Sequence, residues 1–78
     1  MPLFYFDIDD GVRSIVRDEK GVSYAEMPMA CHQAVKTLCE MGRDFSKNGS
    51  QEMSILVREA EGPQRLRVTL SVTVQSEH

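Results

Sequence analysis

Asp7, Asp9 and Asp10 fall within four consecutive positions, and carboxylates gathered at a strand end are a common starting point for metal-assisted chemistry. An Asp-x-Asp strand end can serve phosphoryl transfer. Here no threonine follows it, and that chemistry needs a larger α/β scaffold to supply a lysine and further carboxylates. A calcium loop fails on spacing: Asp7-Ile8-Asp9-Asp10-Gly11 is one residue short of Asp-x-Asp-x-Asp-Gly, and the closing glutamate is missing. These aspartates are therefore read as strand-end polarity and a turn. His32 and Cys39 stand seven positions apart. On a helix that is ~10 Å of rise, too far for one metal with bonds of ~2.0–2.3 Å. Cys31 adjoins His32 but points elsewhere, and no Cys-x-x-Cys, His-x-x-x-His or glycine-rich phosphate loop is present. His32 is expected to be exposed and the two thiols buried or half-buried. Neither a catalytic, a cofactor-binding nor a metal-binding residue is assigned, and an enzyme is not expected.

The elements that carry these residues follow from composition and periodicity. The chain has 78 residues, with 12 acidic and 9 basic side chains and a net charge of −3. That length is one domain with a thin core, since a chain near 60 residues buries only ~60% of its unfolded surface. The acidity offers no electrostatic footprint for nucleic acid or anionic lipid. No signal peptide is read, because the apolar opening Leu3-Phe4-Tyr5-Phe6 stops at Asp7, and no run approaches the ~20 apolar residues of a membrane span. Two cysteines eight positions apart on a helix are too distant for a disulfide. Free thiols without a leader predict a cytoplasmic protein.

Residues 3–9 are aromatic-rich and predict a strand, with Asp10-Gly11 as a two-residue hairpin turn and Val12–Val16 as a short return strand. Asp18-Glu19-Lys20-Gly21 reads as a second turn. Ser23 and Glu26 have capping-box spacing, but a helix from there would bury Pro28 inside it. A start near Met27 leaves Pro28 in the first turn, where it does no harm. The predicted helix spans about 27–46 and ends at Lys47-Asn48-Gly49. Its apolar stripe is Met27, Cys31, Ala34, Leu38, Met41 and Phe45, widened by Val35. After it, Met53, Ile55 and Val57 alternate with polar residues. Past Glu61-Gly62-Pro63, Leu66, Val68, Leu70, Val72 and Val74 do the same, which predicts a hairpin with one buried face. The fold class is α+β: a two-layer sandwich in the order β-β-α-β-β, one helix on one face of an antiparallel sheet.

Tyr5-Phe6-Asp7-Ile8 with Asp10-Gly11, then Asp18 with Gly21, then a helix, then Val57-Arg58-Glu59, Gly62 and Leu66-Arg67-Val68 resemble a small family of uncharacterised bacterial single-domain proteins, a domain of unknown function. The resemblance spans nearly the whole chain and departs at Met27-Pro28 and Cys31-His32. It implies no activity and transfers no catalytic or binding residue.

What remains is a surface. The sheet face away from the helix should present Tyr5, Asp7, Asp9, Glu52, Leu56, Arg58, Arg65 and Arg67, whose charges balance as cross-strand pairs. Tyr5 alone is a poor platform for stacking bases. The last strand, Gln64–Gln75, is longer than its partner run Glu52–Glu59, so an unpaired overhang is expected. Its Val68–Val74 stretch has neither charge nor proline. Tyr5, Leu56, Arg58, Arg65, Arg67, Thr69, Ser71 and Thr73 are the candidate interaction surface, joined by Leu3. The expected function is a small non-enzymatic interaction or regulatory module acting through its sheet as a homodimer, or with another protein. The alternatives are a nucleic-acid-associated, antitoxin-like accessory and, behind it, a small ligand or metal binder.

Overall fold

The computed structural model describes residues 2–11, 15–45 and 48–77. Its elements run β1 (Leu3–Asp9), β2 (Ile15–Val16), β3 (Val22–Ser23), α1 (Met27–Gly42), β4 (Gly49–Glu59) and β5 (Arg65–Val74). All strands pair antiparallel in one sheet of order β2-β1-β4-β5, with β3 also pairing β1. The class is α+β, as the periodicity predicts, with one added strand: residues 22–23 pair Leu3 and Phe4. A two-residue strand is too short to leave a period in the sequence.

Alternation sets the two faces. Phe6 opposes Val57, Ile8 opposes Ile55, and Ile55 opposes Val68, so these side chains share the face beneath α1. Phe4, Ala30, Ala34, Leu38, Met53, Ile55 and Val57 form the buried core. Phe6, Ile8, Tyr24, Met27, Met41, Val68 and Leu70 pack around it. Tyr24 sets its ring 6.4 Å from that of Phe4 and 6.2 Å from that of Phe6. Pro28 lies in the first turn of α1, as expected, where its missing N–H breaks no helical bond.

Four expectations are corrected. The helix ends at Gly42, not near residue 46. Gly42 presses on β5, where an added Cβ would lie 2.8 Å from Leu70 Cδ2, and the chain turns away there. Residues 46–47 lie outside the described residues, while Gly49, read as part of the helix stop, opens β4. Val35 is 46% exposed, and Ala30 takes the buried place instead. Asp9 of β1 pairs with Ile15 of β2, so Asp10-Gly11 is not a two-residue turn between them. Of the expected return strand, residues 12–14 are not described.

Candidate functional site

The strand registers bring the predicted surface together in rows across the outer face. Tyr5, Arg58 and Arg65 form one row, Asp7, Leu56 and Arg67 the next, and Asp9, Ser54 and Thr69 a third. Glu52 then opposes Ser71, and Ser50 opposes Thr73. The Arg58 guanidinium anchors one corner. Its Nε donates to Asp7 Oδ2 at 2.7 Å, and its Nη2 donates to Asp7 Oδ1 at 3.3 Å and to the Asp18 carbonyl at 3.1 Å. The same guanidinium lies 4.5 Å from the centroid of the Tyr5 ring, a cation–π stack.

Arg58–Asp7 is the ion pair found among the described residues, so the expected balance of cross-strand charges reduces to one pair. Arg67 instead donates to Ser54 Oγ at 3.0 Å and covers it. Ser50 and Thr73 share a hydrogen bond of 3.1 Å. Leu3, Tyr5 and Leu56 are half-buried rather than freely exposed, whereas Arg65, Arg67, Thr69, Ser71 and Thr73 are exposed.

Asp18, read from the sequence as part of a turn, is the residue that sequence reasoning missed. Its Oδ1 accepts from the N–H of Lys20 at 3.0 Å and of Gly21 at 3.2 Å, and its Oδ2 accepts from Phe6 N–H at 3.1 Å. Its own N–H donates to Asp7 Oδ1 at 3.0 Å. The Asp-x-x-Gly turn was legible as an aspartate that bonds its own backbone downstream. The bond to Phe6, twelve positions back, leaves no local trace. Arg58 and then the Asp18 N–H hold the Asp7 carboxyl below its ordinary range. At Asp18 desolvation pushes upward, but the N–H groups of Gly21, Phe6 and Lys20 prevail and its pKa also falls.

Two turn bonds fix which backbone groups each strand turns outward. Ala60 N–H donates to Leu3 O at 2.8 Å, and Glu59 N–H donates to Gln64 O at 3.0 Å. Bonded and non-bonded positions alternate along an antiparallel pair. On β5, Leu66, Val68, Leu70, Val72 and Val74 therefore address β4, while Arg65, Arg67, Thr69, Ser71 and Thr73 turn their N–H and C=O groups away from it. On β1 the outward groups belong to Phe4, Phe6 and Ile8. That edge is closed: Phe4 opposes Val22 of β3, Ile8 opposes Val16 of β2, and Asp18 takes the Phe6 N–H between them.

The β5 edge is open. It ends the sheet, and among the described residues no strand pairs its far side. The openness differs from the expected overhang: β4 and β5 pair from Gly49–Val74 to Arg58–Arg65, so no part of β5 projects beyond its partner.

The other candidates for chemistry stay apart. Asp9 Oδ1 accepts from Gly11 N–H at 2.9 Å, which makes it a turn residue, and the Asp10 carbonyl accepts from Gln51 Nε2 at 2.8 Å. Among the described residues no three His, Cys, Asp or Glu side chains gather as a metal site. His32 is exposed, as expected. Cys31 is half-buried, and burial raises its thiol pKa, while Cys39 is exposed rather than buried. An open cleft of about 620 Å³ is lined by Pro2, Leu3, Tyr5, Glu59, Ala60 and Glu61. No helix among the described residues is long and apolar enough to cross a membrane.

No curated protein and no solved structure gives a significant match to the chain. Residues 3–71 match the model of a family described as a domain of unknown function (DUF6894), and the chain belongs to that family.

Proposed function

We propose that this protein is a non-enzymatic interaction module that works by strand pairing at the β5 edge, with a second copy of itself as the partner. The observation that carries this reading is the contrast between the two sheet edges. Every outward position of β1 is met by β2, β3 or the Asp18 carboxylate. The outward groups of Arg65, Arg67, Thr69, Ser71 and Thr73 have no such cover among the described residues. Sheet edges are normally blunted by proline, charge, bulges or a covering segment. Here Arg65 and Arg67 mark one end, and Val68–Val74 runs on with neither charge nor proline. The groups with lowered pKa support a structural role, since Asp7 and Asp18 spend their carboxylates holding the fold. The two free thiols suit a cytoplasmic setting.

Light scattering at micromolar concentration tests the reading, with a mass near twice 8.8 kDa expected. Ser71→Pro removes an edge-directed N–H and no bond to β4, so it should yield a monomer with an unchanged circular dichroism spectrum. Val72→Pro removes a ladder bond instead and should destabilise the fold itself. A native chain that stays monomeric at high concentration overturns the reading.

A further inference from the structure

The register of that contact can be derived, and the derivation rests on the proposal that the β5 edge pairs with a second copy. We infer that the two-fold axis passes through Thr69, so that Arg65 opposes the partner's Thr73 and Arg67 opposes the partner's Ser71.

Three observations converge on this register. Residues directly opposite in an antiparallel pair share a face, so a two-fold axis normal to the sheet passes through a residue, outward-facing in a hydrogen-bonded pair or inward-facing in a non-hydrogen-bonded one. The outward groups of β5 are those of Arg65, Arg67, Thr69, Ser71 and Thr73. Thr69 is the middle one, and only an axis there gives every one of them a partner within β5: an axis at Val68 would carry Thr73 to Pro63, and an axis at Leu70 would carry Arg65 to Gln75, both outside Arg65–Val74. An axis at Ser71 would carry Arg65 past Val74, the end of the partner strand.

Charge excludes the neighbouring outward position and permits this one. An axis at Arg67 would set two guanidinium groups face to face across strands, and like charges directly opposite are destabilising. With the axis at Thr69, arginine meets only hydroxyl residues. Glu52, which opposes Ser71 within each copy, then lies one strand beyond the partner's Ser71 in the row of Arg67. Arg67 has no carboxylate partner among the described residues of its own chain, and this row offers one.

The inner face agrees. Leu66 is 45% exposed although it lies on the face beneath α1. In this register it opposes the partner's Val72, next to the place where Gly42 seats the end of α1 against Leu70 and Val72. Val35 is 46% exposed and stands two helical turns before Gly42, on the same side of α1 as the residue that meets β5. The second copy would thus cover Leu66, an apolar side chain that the single chain leaves open.

The unmodified protein suffices for the test. In a mixture of isotope-labelled and unlabelled chain, intermolecular nuclear Overhauser contacts report the register directly. In the Thr69 register Val68 and the partner's Leu70 are a non-hydrogen-bonded pair with Cα atoms ~4.5 Å apart, so a strong Val68 Hα–Leu70 Hα contact is expected, with a Leu66–Val72 contact beside it. Contacts of Leu70 with Val72 and of Val68 with Val74 mark an axis at Ser71 and overturn the inference while leaving the dimer intact. A monomeric sample overturns both. Thr69→Arg sets two like charges on the axis and should weaken the dimer at least tenfold with folding unchanged. An unaltered dissociation constant for that variant also overturns the inference.

Discussion

Replacing Asp18 by alanine removes the acceptor that closes the β1 edge. Three backbone N–H groups lose their carboxylate at once, those of Phe6, Lys20 and Gly21. Lys20 is exposed and its N–H recovers water at little cost. Phe6 is half-buried between β2 and β3, and an N–H deprived of its partner there costs ~1–3 kcal/mol. The Gly21 bond adds a smaller amount, so the whole change should cost about 2–3 kcal/mol. For 78 residues, an unfolding entropy near 2.1 cal/mol/K per residue gives about 6 °C per kcal/mol, hence a fall in Tm of roughly 12–18 °C. Differential scanning calorimetry at fixed protein concentration reads it, because self-association makes Tm concentration-dependent.

Amide exchange gives the residue-level readout: Phe6 should be protected in the native chain and exchange fast in Asp18→Ala. The acid limb tests the same network. Asp7 and Asp18 both titrate lower in the folded chain than in the unfolded one. In that window the unfolded chain binds more protons, so stability is complete above the unfolded value of about 3.9 and falls as pH drops through the folded values. Asp18→Asn should flatten that fall. A Tm within two degrees of native, with Phe6 still protected, refutes the assignment of Asp18 as the edge closure.

Other consequences are separately checkable. Leu38→Ala empties a site that is 1% exposed and should cost ~2–5 kcal/mol, read by chemical denaturation; an unchanged midpoint would remove Leu38 from the core. Gly11→Ala should destabilise by more than the ~1–3 kcal/mol of a left-handed non-glycine residue, because φ is +79° and the new Cβ would fall 1.7 Å from the Glu52 carbonyl oxygen. Reductant should leave Tm unchanged, since both cysteines are free. A thiol reagent should modify exposed Cys39 well before Cys31, whose thiol pKa is raised by burial.

The sequence revealed what period encodes. Alternation in residues 53–74 and in Phe4, Phe6 and Ile8 placed the buried face of the sheet correctly, and the register confirms that Phe6, Ile55 and Val68 share a side. Pro28 located the helix start because its missing N–H is tolerated only in the first turn. The helix end was hidden, because Gly42 is set by close contact with Leu70 and Val72 on a strand still to come. Ala30 was passed over because a small side chain adds little to an apolar stripe, yet smallness lets a helix approach a sheet. The outer-face surface was legible as a face, since alternation alone groups Tyr5, Leu56, Arg58, Arg65, Arg67, Thr69, Ser71 and Thr73 there. Its open edge was anticipated for the wrong reason: Gly49 and Ser50 resemble loop residues but extend β4 along all of β5. Edge status depends on strand order, and no local pattern states that β1 lies beside β4 and leaves β5 outermost.

The most direct test of strand pairing at β5 is backbone amide exchange along that strand, followed as the protein is diluted. The amides of Leu66, Val68, Leu70, Val72 and Val74 bond to β4 and should be protected at every concentration at which the chain is folded. Those of Arg67, Thr69, Ser71 and Thr73 should be protected to a similar degree at high concentration and lose protection together on dilution, with one midpoint. Fast exchange of these four amides at all concentrations, beside slow exchange of their neighbours, would contradict the account and leave β5 as a solvated edge.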